Sequence, residues 1–313
     1  MKNMAFFTGS SNPELGAEVA KYLKVSLGKV ELKKFADGET YVNYLETLRG
    51  KDVYLLQSTC NPVNDNLMEL LIMIDAAKRA AAQTITCIIP FYGYAKQERK
   101  ANDREPITAK LVAELLQAAG ADAVVTMDLH ADAIQGFFDI RADFLYASGP
   151  LVKHFKELKL KGDMVVVSPD VGSSRRARAY AKRIGASLAI IDKRRPKQNV
   201  SEVMHLIGDV KGKIAVIVDD EINTGGTIVN AAQAVMDNGA KEVYAMASHA
   251  VFAGNAIEKL KGSTFKKIIV TNSVPPKEKF SKLEIVSIAP LMGEAIRCMN
   301  EKKSISKLLN PMK

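Results

Sequence analysis

Apolar residues along the chain follow two alternating rhythms. Short β-branched runs such as 214–218 read as strands buried on both faces of a parallel sheet, and between them lie stretches with helical apolar spacing. From Phe6, FFTGSSNPELGAEVAKYL predicts a strand, a Ser/Asn/Pro turn and an amphipathic helix with Leu15, Val19 and Leu23 on one face. VELKKFADGETYVNYLETLRGKDVYLLQS predicts two strand segments around a polar turn at Asp37, Gly38 and Glu39. Strands and helices then alternate to the end. ELLIMIDAAKRAAAQTITCIIP, LVAELLQAAGADAVVTMD and IVNAAQAVMDNGAKEVYAMAS each run from an Ala/Leu-rich helix through a small-residue break into a β-branched strand. This cadence predicts an α/β protein of mainly parallel sheets flanked by helices and joined by right-handed crossovers. A break around 146–150 divides it into halves at 1–146 and 147–313.

Ligands of such folds sit beyond the carboxyl ends of strands. The polar clusters at 92–104, 128–132, 168–178, 192–197 and 219–227 all follow strand-like runs, so they are the candidate chemistry. The most informative is IAVIVDDEINTGGTIVNAA, beginning at Ile214. Its strand is predicted to end at Val218 and its helix to begin at Thr227, with Asn223, Thr224, Gly225 and Gly226 in the turn. Backbone N–H groups at a glycine turn before a helix converge on one point and favour a phosphate. Asp219 and Asp220 repel phosphate and suit sugar hydroxyls or a metal ion, so together the features suggest a phosphorylated sugar. The plainer alternative is an acidic turn and a helix capped by Thr224 or Thr227.

Composition narrows the class. The 313 residues, 47% hydrophobic, are ample for two cores. No apolar run approaches the roughly 18 residues of a membrane span, and MKNMAFFTGS carries no secretory cleavage pattern, which predicts a cytoplasmic protein without a membrane partner. Cys60, Cys87 and Cys298 lie far apart and predict reduced thiols rather than disulfides or structural zinc. The net charge of +9 is spread along the chain, Trp is absent and aromatics are 6%, so small anionic substrates are expected rather than nucleic acid. GxGxxG is absent, and GDVKGK at Gly208 lacks the spacing and the Ser/Thr of a Walker loop.

Each remaining cluster has a plain reading and a chemical one. FADGE, 35–39, is first a hairpin turn, but Phe35 can also stack on a base while Asp37 or Glu39 accepts from its exocyclic amine. YGYAKQERKANDREP is a solvated loop or, with Lys96, Gln97, Arg99, Lys100 and Arg104, a polyphosphate clamp. His130, beside Asp128 and Asp132, is structural or joins Mg²⁺ coordination. Asp170 caps the helix starting near Ser173 or faces a metal or ribose hydroxyls. IIDKRRPKQN predicts a strand ending at Asp192, followed by a surface charge run or a mobile lid bearing Lys193, Arg194 and Arg195.

Taken together, FADGE, YAKQERK, MDLHADAIQGFF, SPDVG, IDKRR, DDEINTGGT and AVFAGNA resemble the ribose-phosphate pyrophosphokinase (phosphoribosyl diphosphate, PRPP, synthetase) family in the right order along nearly the whole chain. The resemblance implies two tandem phosphoribosyltransferase-type domains, the first on the ATP side and the second carrying the PRPP loop. It also implies transfer of the β,γ-diphosphoryl group of Mg-ATP to the C1 hydroxyl of ribose 5-phosphate, giving PRPP and AMP. On that footing Phe35, Asp37, Gly38 and Glu39 bind adenine, from a neighbouring subunit, and Lys96, Gln97 and Arg99 bind the ATP phosphates. Asn223, Thr224, Gly225, Gly226 and Thr227 hold the 5-phosphate, Asp219 and Asp220 the ribose hydroxyls, with Arg195 also on ribose 5-phosphate. His130 and Asp170 place Mg²⁺, and Lys193 and Arg195 are catalytic. A homohexamer is implied, with phosphate and ADP as effectors at an oxyanion site to which Thr47, Arg49, Arg104, Ser304 and Ser306 contribute.

Four positions depart from the usual family pattern. Lys96 stands where Arg is usual, Ser173 where Gly is, and Glu221 and Asn223 where Met and Asp are. Two rivals remain. A PRPP-consuming phosphoribosyltransferase shares the DDEINTGGT loop but needs neither FADGE, the Lys96 loop nor a second half, and a non-catalytic regulatory relative would be favoured by an altered lid, whereas Lys193 and Arg195 are in place.

Overall fold

Asn12 and Pro13 show how the first element pair forms. Pro13 opens helix α1 (Pro13–Leu23), Asn12 accepts from the Leu15 N–H, and Leu15, Val19 and Leu23 are buried on the expected face. The computed structural model in which this is seen describes residues 3–194 and 203–309.

The chain divides into two compact units, the first comprising Met1–Tyr146, Ser273–Pro275 and Ser287–Asn310. Its sheet is wholly parallel, in the order β1 (Met4–Thr8), β4 (Asp52–Leu56), β5 (Thr84–Ile89), β6 (Ala123–Met127), β7 (Arg141–Leu145). β2 (Val30–Lys34) and β3 (Thr40–Tyr44) form a separate antiparallel hairpin. Helices α2 (Val63–Arg79) and α3 (Thr108–Ala119) bury Leu70, Met73, Ile74, Val112 and Leu116 in a core shared with Leu55, Cys87 and Val124. Burial pushes the Cys60 thiol up to about 11, and Cys87 higher still, as expected of inert reduced thiols.

The last helix, α8 (Ala289–Asn300), also belongs to this unit, a return that strand–helix alternation does not predict. It packs on α1: Tyr22 donates to Glu294 (3.0 Å), and the Arg297 guanidinium lies 4.8 Å from the Tyr22 ring centre.

The second unit comprises Ala147–Asn272, Pro276–Val286 and Pro311–Lys313. Its sheet runs β10 (Val203–Ile207), β9 (Ser187–Arg194), β8 (Met164–Ser168), β11 (Ile214–Ile222), β12 (Glu242–Ala250), β13 (Lys267–Thr271), β14 (Leu283–Val286). All neighbours are parallel except β9 and β10. Val165, Val167, Ala215 and Ile217 are wholly buried, as fits a sheet covered by helices. The flanking helices are α4 (Ser148–Glu157), α5 (Ser174–Ile184), α6 (Gly226–Asp237) and α7 (Ala256–Gly262).

Two strands outrun their expected ends. β11 continues past Val218 because the long β12 keeps pairing with it, through Asp219 to Ala247 and Ile222 to Ala250. β9 continues past Asp192 to Arg194 because β10 supplies an antiparallel ladder, Lys193 opposite Met204 and Arg194 opposite Val203. Lys193 and Arg194 are thus strand residues in their backbone rather than the start of a loop.

Candidate active site

Carrying β11 through to Ile222 puts Asp219 and Asp220 on a hydrogen-bonded strand, not on a free turn. Asp219 is partly buried and Asp220 only 6% exposed. The Asp220 N–H donates to Asp219 Oδ1 at 2.9 Å. Burial and the Asp220 carboxylate beside it raise the Asp219 pKa well above the usual carboxylate range, while Arg176 pulls the other way. Arg176, on α5, sets its Nη1 3.0 Å from Asp220 Oδ1 and 3.8 Å from Asp219 Oδ1. Nothing in SRRARAYAKRI distinguishes this cation from its basic neighbours by sequence, so only the fold reveals the contact.

Asn223, Thr224 and Gly225 join β11 to α6. Gly225 is the residue preceding the helix, at φ +73°, and among the described residues no side chain caps the first turn. The alternative of a cap by Thr224 or Thr227 therefore fails, and the helix begins at Gly226, one residue earlier than expected. The loop is braced by the segment after β12. Phe252 and Ala253 donate backbone N–H groups to Ile222 O and Asn223 O, each at 3.0 Å, and Lys259 Nζ lies 3.3 Å from Thr224 O. Loop carbonyls are thus engaged while no described side chain takes the α6 N-terminal donors, an arrangement suited to an anion.

Asp170 follows β8 and accepts from the Ser173 N–H at 2.7 Å, while Ser168 Oγ donates to Asp170 O at 2.7 Å. The plain turn role is therefore real for one carboxylate oxygen. Ser173 has φ −83°, an ordinary conformation, so a side chain in place of the usual glycine carries no backbone strain. Arg195 lies outside the described residues.

In the first unit, FADGE is the hairpin turn its DG pair announces. Phe35 N–H donates to Glu39 O (2.8 Å), Gly38 N–H to Phe35 O (2.9 Å) and Glu39 N–H to Asp37 Oδ1 (3.2 Å), with Gly38 at φ +94°. The turn nevertheless leaves Phe35 50% exposed, braced edge-on by Tyr41 at 5.5 Å, with Asp37 and Glu39 also exposed. Both readings of this segment are compatible: the turn presents the ring.

Between β5 and α3, Lys96, Gln97 and Arg99 are all exposed. The segment is pinned by the Gln97 N–H to Tyr94 O (3.1 Å), the Ala109 N–H to Gln97 O (3.2 Å) and Glu105, which accepts from the N–H groups of Ala101 and Asn102. These bonds hold the Glu105 pKa below its ordinary value, led by Asn102. Arg99 pairs only loosely with Glu98, at 3.4 Å. His130 is exposed just beyond β6, and Asp128, its buried neighbour, has φ +42°. Thr47 and Arg49 line an open pocket of about 280 Å³ with Val42, Tyr44 and Glu46. Ser304 donates to Ser306 at 2.9 Å.

Among the described residues no group of three or more His, Cys, Asp or Glu side chains could hold a metal by itself. Mg²⁺ rarely needs such a cage, since it keeps several waters and adds one or two carboxylates to the oxygens of a substrate phosphate. Asp170, with one oxygen committed to its turn, fits that supporting role.

Residues 4–120 match the family profile described as the N-terminal domain of ribose phosphate pyrophosphokinase, and 193–310 that of the phosphoribosyl synthetase-associated domain. The chain is 55% identical over 308 residues to the ribose-phosphate pyrophosphokinase of Caldanaerobacter subterraneus subsp. tengcongensis, covering 98% of each chain. Its likeness to the Clostridium perfringens enzyme of the same name is 54% over 311 residues, again 98% of each. The crystal structure of phosphoribosylpyrophosphate synthetase from Mycobacterium smegmatis superposes with a TM-score of 0.91 at 45% identity, over 96% of this chain and 100% of that one.

Proposed function

The chain belongs to the ribose-phosphate pyrophosphokinase family, and from that premise we propose how its residues divide the work of making PRPP and AMP from ATP and ribose 5-phosphate. The C1 hydroxyl oxygen attacks the β-phosphorus of ATP, the bond from that phosphorus to the α,β-bridging oxygen breaks, and AMP leaves. Phosphoryl chemistry of this type demands alignment and charge stabilisation rather than covalent work by the protein.

The observation that best supports the assignment is the loop after β11: an acidic pair with Asp220 buried and Asp219 partly so, then a helix start that no described side chain caps, backed by Ala253 and Lys259. Asn223 to Thr227 hold the 5-phosphate on backbone donors, and Asp219 and Asp220 accept from the ribose hydroxyls. Phe35 stacks on adenine, with Asp37 and Glu39 reading its amine, while Gly38 shapes the turn. Lys96, Gln97 and Arg99 grip the ATP phosphates; Lys96 offers a point charge where the family's usual Arg offers a bidentate fork. Lys193 and Arg195 offset the charge that builds up as the hydroxyl attacks, and Arg195 also contacts ribose 5-phosphate. His130 and Asp170 would help to hold Mg²⁺, which would supply charge neutralisation at the phosphates.

The further parts of this reading are a cytoplasmic homohexamer with the adenine site shared between subunits, and phosphate and ADP acting near Thr47, Arg49, Arg104, Ser304 and Ser306. No described helix is long and apolar enough to cross a membrane. A PRPP-consuming transferase is disfavoured by a match that runs through both units, and a regulatory relative by the enzyme names of relatives matched end to end.

Phosphorus NMR of the purified protein with ATP, ribose 5-phosphate and Mg²⁺ tests the activity. AMP and a C1 diphosphate should appear together, and only when the sugar phosphate is present. Silence despite binding of both substrates would instead make this a regulatory relative. Phe35→Ala tests the adenine platform: loss of one stacking face, about 1–3 kcal/mol, should raise the KM for ATP about tenfold and leave that for ribose 5-phosphate unchanged. An unchanged KM for ATP would remove Phe35 from the site.

A further inference from the structure

Three acidic residues in a row, Asp219, Asp220 and Glu221, close β11, and the middle one is almost wholly buried. Adjacent carboxylates in such a place repel one another and resist ionising together. They serve as acceptors for sugar hydroxyls when something fixes the orientation of their oxygens. A single guanidinium nitrogen meets this need, since Arg176 Nη1 lies 3.0 Å from Asp220 and 3.8 Å from Asp219.

The arm that carries it is fixed rather than free. Arg176 sits in the first turn of α5, whose Ala177, Tyr180 and Ala181 are buried, and the helix packs on β8 and β11. Its side chain is 21% exposed, whereas Arg178 and Lys182 on the same helix are exposed cations. Because its charge is already met by two carboxylates, Arg176 is poorly placed to act as a phosphate clamp. Its contacts instead suit it to tuning the groups that do the binding.

We propose that Arg176 is a positioning residue for ribose 5-phosphate: it keeps Asp220, the buried member of the pair, aimed as a hydroxyl acceptor beside Asp219, without itself touching the sugar's phosphate. The proposal rests on the reading that these two carboxylates bind the ribose hydroxyls. Removing the guanidinium leaves one buried acid without its counter-charge, a loss that typically costs a factor of about thirty or more in binding. The loss should fall on one substrate and not on the chemical step.

Steady-state kinetics on the full chain decide the matter with Arg176→Met, Arg176→Lys, Asp220→Asn and the double variant Arg176→Met/Asp220→Asn. Arg176→Met should raise the KM for ribose 5-phosphate about thirtyfold or more, with kcat and the KM for ATP within about threefold. Arg176→Lys should recover part of that loss, because an ammonium restores charge but not the fork. In the Asp220→Asn background the Met substitution should add almost nothing, since its effect passes through Asp220.

Additive effects in the double variant would overturn the proposal, as would an unchanged KM in Arg176→Met while Asp220→Asn raises it. If Asp220→Asn itself leaves the KM for ribose 5-phosphate unchanged, the reading of the acidic pair fails first and the proposal falls with it. Should Arg176→Met not fold, Arg176→Lys alone decides: a raised KM at preserved kcat supports the role, and wild-type constants refute it.

Discussion

Lys193→Ala should lower kcat by about three orders of magnitude while ribose 5-phosphate binds within about threefold of the unsubstituted protein. The expectation comes from where the charge is needed. As the C1 oxygen approaches the β-phosphorus, negative charge gathers on the phosphoryl oxygens and on the departing AMP. A cation that meets it only at that moment stabilises the transition state and not the ground state. On the assignment proposed above Lys193 supplies this group, and its backbone continues β9, paired opposite Met204. A strand end is a firmer platform than a free loop, since its ladder bonds fix where the residue starts. Quenched-flow measurement of AMP formation, together with calorimetry of ribose 5-phosphate binding, separates the two effects. Turnover near that of the unsubstituted protein would remove Lys193 from the chemistry.

Gly225→Val should weaken ribose 5-phosphate binding about a hundredfold, and Gly225→Ala by a smaller factor. Gly225 stands at φ +73°, where an L side chain costs about 1–2 kcal/mol and a β-branched one more. Space is not the obstacle, because a Cβ there would meet the Ala256 backbone at 3.5 Å, an ordinary contact. The chain relieves the strain by rotating the peptide, and rotation turns the first α6 donors away from their common point. Calorimetric titration of both variants checks the order. Equal affinities for Gly, Ala and Val at this position would show that the helix start does not hold the phosphate.

How far the site could be read from the chain depends on the range of the forces involved. α1 was legible because its Asn12 cap, Pro13 and apolar spacing are local. The FADGE turn was legible for the same reason, because its DG pair is a local signal. The ends of β9 and β11 were misplaced because strand length is set by a neighbour's ladder, and Val203 or Ala250 cannot be seen from Asp192 or Val218. The absence of a side-chain cap on α6 also escaped, since Thr224 and Thr227 look competent until the backbone is traced. Arg176 was hidden most completely, because five basic residues share one helix and only the packing of α5 selects which reaches β11.

The return of α8 to the first unit sets a rule for how this protein can be made. Tyr22, on α1, is translated 272 residues ahead of its partner Glu294, and waits as long for Arg297. The first unit is therefore finished only once α8 has been made. Until α8 is translated, the face of α1 that it covers stays open to other chains, and a gene fragment ending near residue 146 encodes an incomplete body, not half an enzyme.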